Sequence, residues 1–185
     1  MIESNRKRIG IPVTLALALG LACSTTPDSE YGREDIERRA AAALTRAEGL
    51  DGTLAPMLRS MAAYAVIPEV NKGGVIIGAA YGRGVLYEKG VVVGYCDVSQ
   101  QSIGAQIGGQ SYTEIIALRT PEAVQKFKVG NTAFDAQASA VAVDAGSSSQ
   151  AKFMNDVAVF ISNESGLMAQ ASIGGQQISY QPKVK

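Results

Sequence analysis

Tyr64 to Asp97 reads Y-A-V-I-P-E-V-N-K-G-G-V-I-I-G-A-A-Y-G-R-G-V-L-Y-E-K-G-V-V-V-G-Y-C-D. Short β-branched runs (Val75 to Ile77, Val85 to Tyr87, Val91 to Val93) are separated by Lys72-Gly73-Gly74, Tyr81-Gly82-Arg83-Gly84 and Glu88-Lys89-Gly90. Apolar runs broken by glycine at this spacing predict a β-meander. Glycine at the breaks allows positive φ or close approach of a neighbouring strand, and Lys72, Arg83 and Lys89 fall at or beside the breaks, where they reach solvent. The turns are then the cationic part of the core.

Working outward, Ser102 to Gly109 alternates with small residues and Thr113 to Leu118 is β-rich, so the sheet continues through a strand pair. Thr120-Pro121-Glu122 opens a short helix to about Phe127, with threonine as cap and proline at the first helical position. Phe134 to Ala142 alternates as a strand with a small-residue face, Gly146 to Gln150 is a loop, and strands near Asp156 to Ser162 and Leu167 to Ile173 flank a turn at Asn163 to Gly166. On the N-terminal side, Glu34 to Glu48 places Ile36, Ala40, Ala43, Leu44 and Ala47 on one helical face, with Gly49 as the stop. A second helix starts after Thr53 as cap, turns Leu54, Leu58, Met61 and Ala62 inward, and ends before Pro68. The expected fold is α+β: two N-terminal helices, a largely antiparallel sheet curled into a sandwich or barrel, and one short inserted helix.

The first 22 residues stand apart from this fold. Arg6-Lys7-Arg8 precede an apolar run from Ile9 to Leu21 that ends in small residues before Cys23, the layout of a secretory signal. The run is shorter than the ~20 residues a spanning helix needs. It resembles a bacterial lipoprotein signal, in which Cys23 is lipidated and becomes the mature N-terminus; Gly20 stands where leucine is usual, and Ser24 fits the pattern sent on to the outer membrane. An ordinary signal peptide with a chance cysteine is the alternative. The implied organisation is a signal at 1–22, a lipidated tether at 23–33, polar with proline and glycine, and one domain at 34–185. With Cys23 lipidated, Cys96 has no partner and is expected as a small buried core residue; a Cys23–Cys96 disulfide is the competing reading.

Charge and composition exclude more than they assign. The chain carries 17 basic and 17 acidic residues, and loss of Arg6, Lys7, Arg8 and Glu3 leaves 14 and 16, a net −2. No basic field draws such a domain to nucleic acid. Without histidine, Ser-His-Asp and Cys-His catalysis and histidine-containing zinc sites are excluded. Gly82 to Gly84 and Gly104 to Gly109 fit neither the dinucleotide fingerprint nor the P-loop, and no G-x-S-x-G elbow occurs. Asp97, Asp135, Asp144 and Asp156 read as solvated carboxylates rather than a catalytic pair. Tyr64, Tyr81, Tyr87, Tyr95 and Tyr112 suit the core boundary better than a membrane interface. No catalytic residue, cofactor or metal is expected.

Ala65-Val66-Ile67-Pro68 followed by Lys72-Gly73-Gly74, Gly78 to Leu86, Ser102 to Gln110, and Ser165-Gly166-Leu167-Met168-Ala169 resemble the SYLF family in order and spacing, across about Asp35 to Tyr180. The resemblance implies a non-enzymatic, lipid-binding domain; some eukaryotic members bind phosphoinositides and some bind actin filaments. A lipoprotein signal and the lack of basic clusters argue against actin as partner here, and the compartment weakens phosphoinositides as ligand. Eukaryotic members use an amphipathic helix ahead of the sheet to enter the bilayer, but the alanine face of the first helix here suits packing on its own sheet. The expected function is binding of membrane phospholipid by an envelope lipoprotein, at the outer membrane. Lys72, Arg83 and Lys89 are the headgroup candidates, against a reading of them as solubilising charges. Gly73, Gly74, Gly78, Gly82, Gly84, Gly104, Gly108 and Gly109 are the structural glycines. The alternative function is an envelope scaffold that binds proteins and meets membrane only through its anchor.

Overall fold

The computed structural model describes residues 30–73, 77–103, 110–130, 141–142, 151, 153–162 and 176–184. Helix α1 (Glu30–Leu50) begins inside the expected tether and runs through Gly49. Its apolar stripe is the predicted one, with Ile36, Ala40, Ala43 and Ala47 buried. Helix α2 (Leu54–Arg59) is shorter than predicted. Thr53 makes no side-chain cap; Asp51 Oδ1 instead accepts from the Thr53 amide at 2.9 Å and its hydroxyl at 2.7 Å. The chain leaves the helix early because Ala63, Ala65 and Ile67 gain burial as a strand, a tertiary gain that overrides helix propensity.

That strand, β1 (Ala63–Gly73), contains Pro68, which was expected to precede it. Proline is tolerated there because the register slips around it, between Val66 and Glu69 against β2 and between Ile67 and Val70 against β4, so no ladder bond is asked of its nitrogen. Strand β2 (Ile77–Glu88) corrects the meander: Tyr81 to Gly84 is not a break but the middle of a strand. Gly82 and Gly84 serve close approach. A Cβ at Gly82 would lie 2.6 Å from Ile67 Cγ2 and 2.8 Å from the Glu69 carbonyl, and one at Gly84 would lie 2.6 Å from the Val66 carbonyl. The β1 bulge thus occupies the space that side chains on β2 would need. Lys89 (φ 52) and Gly90 (φ 76) form the true two-residue turn into β3 (Val91–Ile103), both in the left-handed region that primed hairpin turns use.

Strand β4 (Gln110–Leu118) and helix α3 (Pro121–Val129) follow. Here the opening signals hold: Thr120 Oγ1 accepts from the Ala123 amide, and the helix runs two residues past the expected Phe127 before Gly130 closes it at φ 68. Of the predicted strand at 134–142, only β5 (Val141–Ala142) is described. Strand β6 (Val157–Ser162) matches its prediction, and the last described strand is β7 (Gln176–Pro182), beyond the Leu167 to Ile173 segment, which lies outside the described residues together with 143–150 and 163–166.

The strands form one sheet in the order β5-β6-β4-β1-β2-β3-β7, antiparallel except for β5 with β6. A flat sheet would hold β4 and β7 about 19 Å apart, four spacings of ~4.8 Å. Yet Gln176 Nε2 on β7 donates to both carboxylate oxygens of Glu114 on β4, at 2.9 and 3.1 Å. The sheet is therefore strongly curled, and both residues are buried inside it. The α+β class stands; the sheet is neither a two-sheet sandwich nor a closed barrel. The inner face gathers Ile67, Leu86, Val98, Ile116 and Ile178 with Phe127 of α3. The outer face carries Val66, Val85, Tyr87, Tyr95, Ile115 and Phe160 beneath α1 and α2. Cys96 is free and buried on the inner side, where burial pushes its thiol well above the usual range, so it is inert.

Candidate anion-binding groove

Helix α1 crosses the outer face and carries two kinds of row. The alanine row docks on the sheet. Beside it, Arg38, Ala42, Arg46 and Leu50 recur every four residues, so they share one edge of the helix. That edge and the sheet enclose a groove of about 750 Å³, lined by Arg38, Arg39, Ala42 and Arg46 on one wall and by Pro68, Glu69, Ser111, Thr113 and Ser162 on the other. The helix side thus contributes guanidinium groups and the sheet side hydroxyls, with Ala42, Ala43, Leu50 and Tyr112 also in the lining. Thr113 Oγ1 donates to the Pro68 carbonyl at 2.9 Å, which supplies a partner for the bulged segment.

A second groove of about 430 Å³ adjoins the first, lined in part by Asp35, Asn71, Tyr81 and Arg83. Arg39, Pro68 and Glu69 border both grooves, and the Arg39–Glu69 ion pair stands between them. Arg38 pairs with Asp35 in the same manner. Arg46 is exposed and has no partner among the described residues. Arg83 projects from mid-β2; its Nε donates to the Tyr81 hydroxyl at 3.1 Å, and that hydroxyl donates to Asp97 Oδ1 at 3.3 Å.

The residues singled out from sequence do not form one cluster. Arg83 borders the second groove, and Lys72 lies further along β1, paired in backbone register with Ala80 and Gln110. Lys89 sits in the hairpin turn six positions beyond Arg83, about 20 Å away along an extended strand. The expectation of a common set of turn cations is corrected: Arg83 is in no turn, and Lys89 is at the opposite end of β2 from Lys72. Gly73 ends β1 and Gly78 pairs with Ser102 on β3, while Cys23, Gly74, Gly104, Gly108 and Gly109 lie outside the described residues. Of the four aspartates, Asp135 and Asp144 also lie outside. Asp156 is ion-paired with Arg119 ahead of α3, and Asp97 faces Tyr81 and Ser179, so these two do not converge. The tyrosines take the core boundary: Tyr87, Tyr95 and Tyr112 are buried, and half-buried Tyr64 stacks on Tyr87 at 5.1 Å. Burial, the Glu37 hydrogen bond and the Glu37 charge push Tyr95 up to about 12.

Sequence reasoning missed the arginine edge of α1. The signal was present as Arg38-Arg39 with Arg46 eight residues after Arg38, a spacing that returns to the same helix edge. Among the described residues, no group of three or more His, Cys, Asp or Glu is placed to hold a metal, and no helix is long and apolar enough to cross a membrane.

Residues 99–184 match the family model Ysc84, described as Las17-binding protein actin regulator, so this part of the chain is similar to a Ysc84, or SYLF, domain. The family is one of binding domains, associated with lipids and with proteins. No curated protein matches the chain. The matched segment supplies the hydroxyl wall of the groove (Ser111, Thr113, Ser162), whereas the arginines precede it on α1.

Proposed function

We propose that this chain is a non-enzymatic lipid-binding protein of the cell envelope, anchored through lipidated Cys23 at the outer membrane, whose domain takes the anionic headgroup of a phospholipid in the groove beside α1. The observation that carries this reading is the line of Arg38, Arg39 and Arg46 opposite Ser111, Thr113 and Ser162. Guanidinium forks match phosphate oxygens, and hydroxyls complete the coordination. Arg83 supports the site from the adjoining groove. From Cys23 to the start of α1 at Glu30 the chain spans seven residue steps, a reach of about 25 Å when extended.

The test uses the full-length chain carrying Cys23→Ser, so that no acyl group contributes. Flotation on neutral vesicles is compared with flotation on vesicles containing phosphatidylglycerol, for the parent and for Arg38→Gln with Arg46→Gln. Each cation near an anionic surface contributes about 1 kcal/mol, so the pair of changes weakens anionic binding about tenfold to thirtyfold, less at high salt. Equal binding to both vesicle types, unaffected by the arginines, would favour the envelope scaffold instead.

A further inference from the structure

The groove already contains an anion of its own. Glu69 reaches across from β1 to ion-pair with Arg39, and the pair stands where the two grooves meet. Glu69 also has a second cation within reach, because Arg83 is its direct register partner on β2. Side chains opposite each other on antiparallel strands start about 5 Å apart, so the carboxylate reaches either guanidinium by rotation about its own side-chain bonds. Arg83 is exposed; its Nε donates to the Tyr81 hydroxyl, its guanidinium lies 6.0 Å from the Tyr81 ring centre, and its register partner on β3 is Asp97, so Glu69 would approach it from the β1 side.

We infer that Glu69 is an internal competitor for the groove, and that an arriving phosphate takes Arg39 while the Glu69 carboxylate moves to Arg83. The inference rests on the reading of the arginine groove as an anion site and adds its regulation. Every charge stays paired through the exchange: the ligand phosphate replaces the carboxylate on Arg39, and the carboxylate moves onto the exposed guanidinium of Arg83. An unpaired anion beside an incoming phosphate would otherwise repel it. The device sets a threshold on ligand charge. A phosphomonoester, which can carry two negative charges, displaces a single carboxylate more readily than a singly charged phosphodiester. Arg83 thereby acts as a positioning residue that never touches the ligand.

The experiment is a double-mutant cycle on the full-length Cys23→Ser chain, titrated calorimetrically with dihexanoyl phosphatidic acid and dihexanoyl phosphatidylglycerol below their micellar concentrations. Exposed ion pairs are individually modest, so changes of about twofold to fivefold are expected. Glu69→Gln raises affinity for both probes and narrows the gap between them. Arg83→Gln lowers affinity in the parent and has no effect in the Glu69→Gln background. An unchanged or weakened Glu69→Gln overturns the competitor role, and equal loss from Arg83→Gln in both backgrounds overturns the exchange, since Arg83 would then contact phosphate itself. Arg46→Gln is titrated alongside: if it and the parent bind both probes equally weakly, the anion-site reading fails, whereas loss at Arg46 with no response at Glu69 leaves that reading standing and removes only the competitor.

Discussion

Inside the curl, Ile67, Leu86, Ile116 and Ile178 meet strand backbones too close to admit a side chain at Gly82 or Gly84, and a buried polar contact, Glu114 with Gln176, joins strands four places apart in the sheet. Outside it, α1 lays Ala40, Ala43 and Ala47 on the sheet and leaves an arginine edge standing over open grooves. The inner face has its space filled by backbone and large side chains; the outer face is spaced by alanine. A small-residue seam holds a helix in place with modest burial, and this lets the rim beside it stay open for a ligand. The difference places close backbone packing inside and an open rim outside.

The sharpest way to break the comparison is to add atoms where the inner face has no room. Gly84→Val would press a Cβ against the Val66 carbonyl and against Ile67, both on a bulged strand held by neighbours on either side. We expect a loss of about 3 kcal/mol or more, at the upper end of overpacking costs, read as a lower urea midpoint at constant slope. An unchanged midpoint would mean that the β1 bulge is compliant. The same logic applied to the alanine seam gives a smaller effect. Ala40→Leu must lift α1 off the sheet, but the helix has a solvent side to move into, so about 1–2 kcal/mol is expected, together with altered anion binding as the groove changes width. A cost as large as that of Gly84→Val would show that α1 is clamped as tightly as the inner strands.

A third change should stabilise. Gly49 lies in the last turn of α1, exposed, with nothing within 4 Å of where a Cβ would stand. Gly49→Ala replaces the more flexible residue in a helical position, and a gain of about 0.5–1 kcal/mol follows from reduced unfolded-state entropy and better helix propensity. A loss in thermal midpoint would indicate that the helix end needs the freedom glycine gives.

What could be read in advance divides along the same line between local and distant causes. The start of helix α3 was legible because Thr120 and Pro121 act on their own neighbours, and the stripe of α1 was legible because its period is written in consecutive turns. Strand β2 was misread because Gly82 and Gly84 look like turn residues, while the reason for them, the bulge at Pro68, sits on another strand. The curl was expected but not its form, since the Glu114–Gln176 contact spans 62 positions and leaves no local pattern. The groove was half legible. Its arginines repeat at helical spacing, but their opposite wall comes from β1, β4 and β6, and only folding brings hydroxyls and guanidinium groups face to face.

The smallest expected effect probes the join between the two faces, where α1 is tied to the end of the chain. Glu37 Oε1 accepts from the Tyr95 hydroxyl at 2.7 Å and from Lys183 Nζ at 2.6 Å, so one carboxylate holds the helix to β3 and to the residue after β7. Burial alone pushes the Glu37 carboxyl up, but the hydrogen bonds from Lys183 and Tyr95 and the Lys183 charge outweigh it, and the group titrates below its ordinary value of 4.5. A depressed carboxylate contributes stability that is present above its unfolded value and is lost as pH falls through the folded one. Glu37→Gln should therefore cost about 0.5 kcal/mol at neutral pH, in keeping with a partly exposed ion pair, and parent and variant should converge below about pH 4. The alkaline side has the opposite sign. Tyr95, raised to about 12 by burial and by Glu37, contributes stability below its unfolded value of 10, which is lost as pH rises from 10 toward 12. Removing the Glu37 charge flattens that loss. Urea midpoints taken from pH 3 to pH 11 decide the matter: a gap between parent and variant that stays constant across the range would show that Glu37 acts by packing alone and not as the charged tie between α1 and the strands.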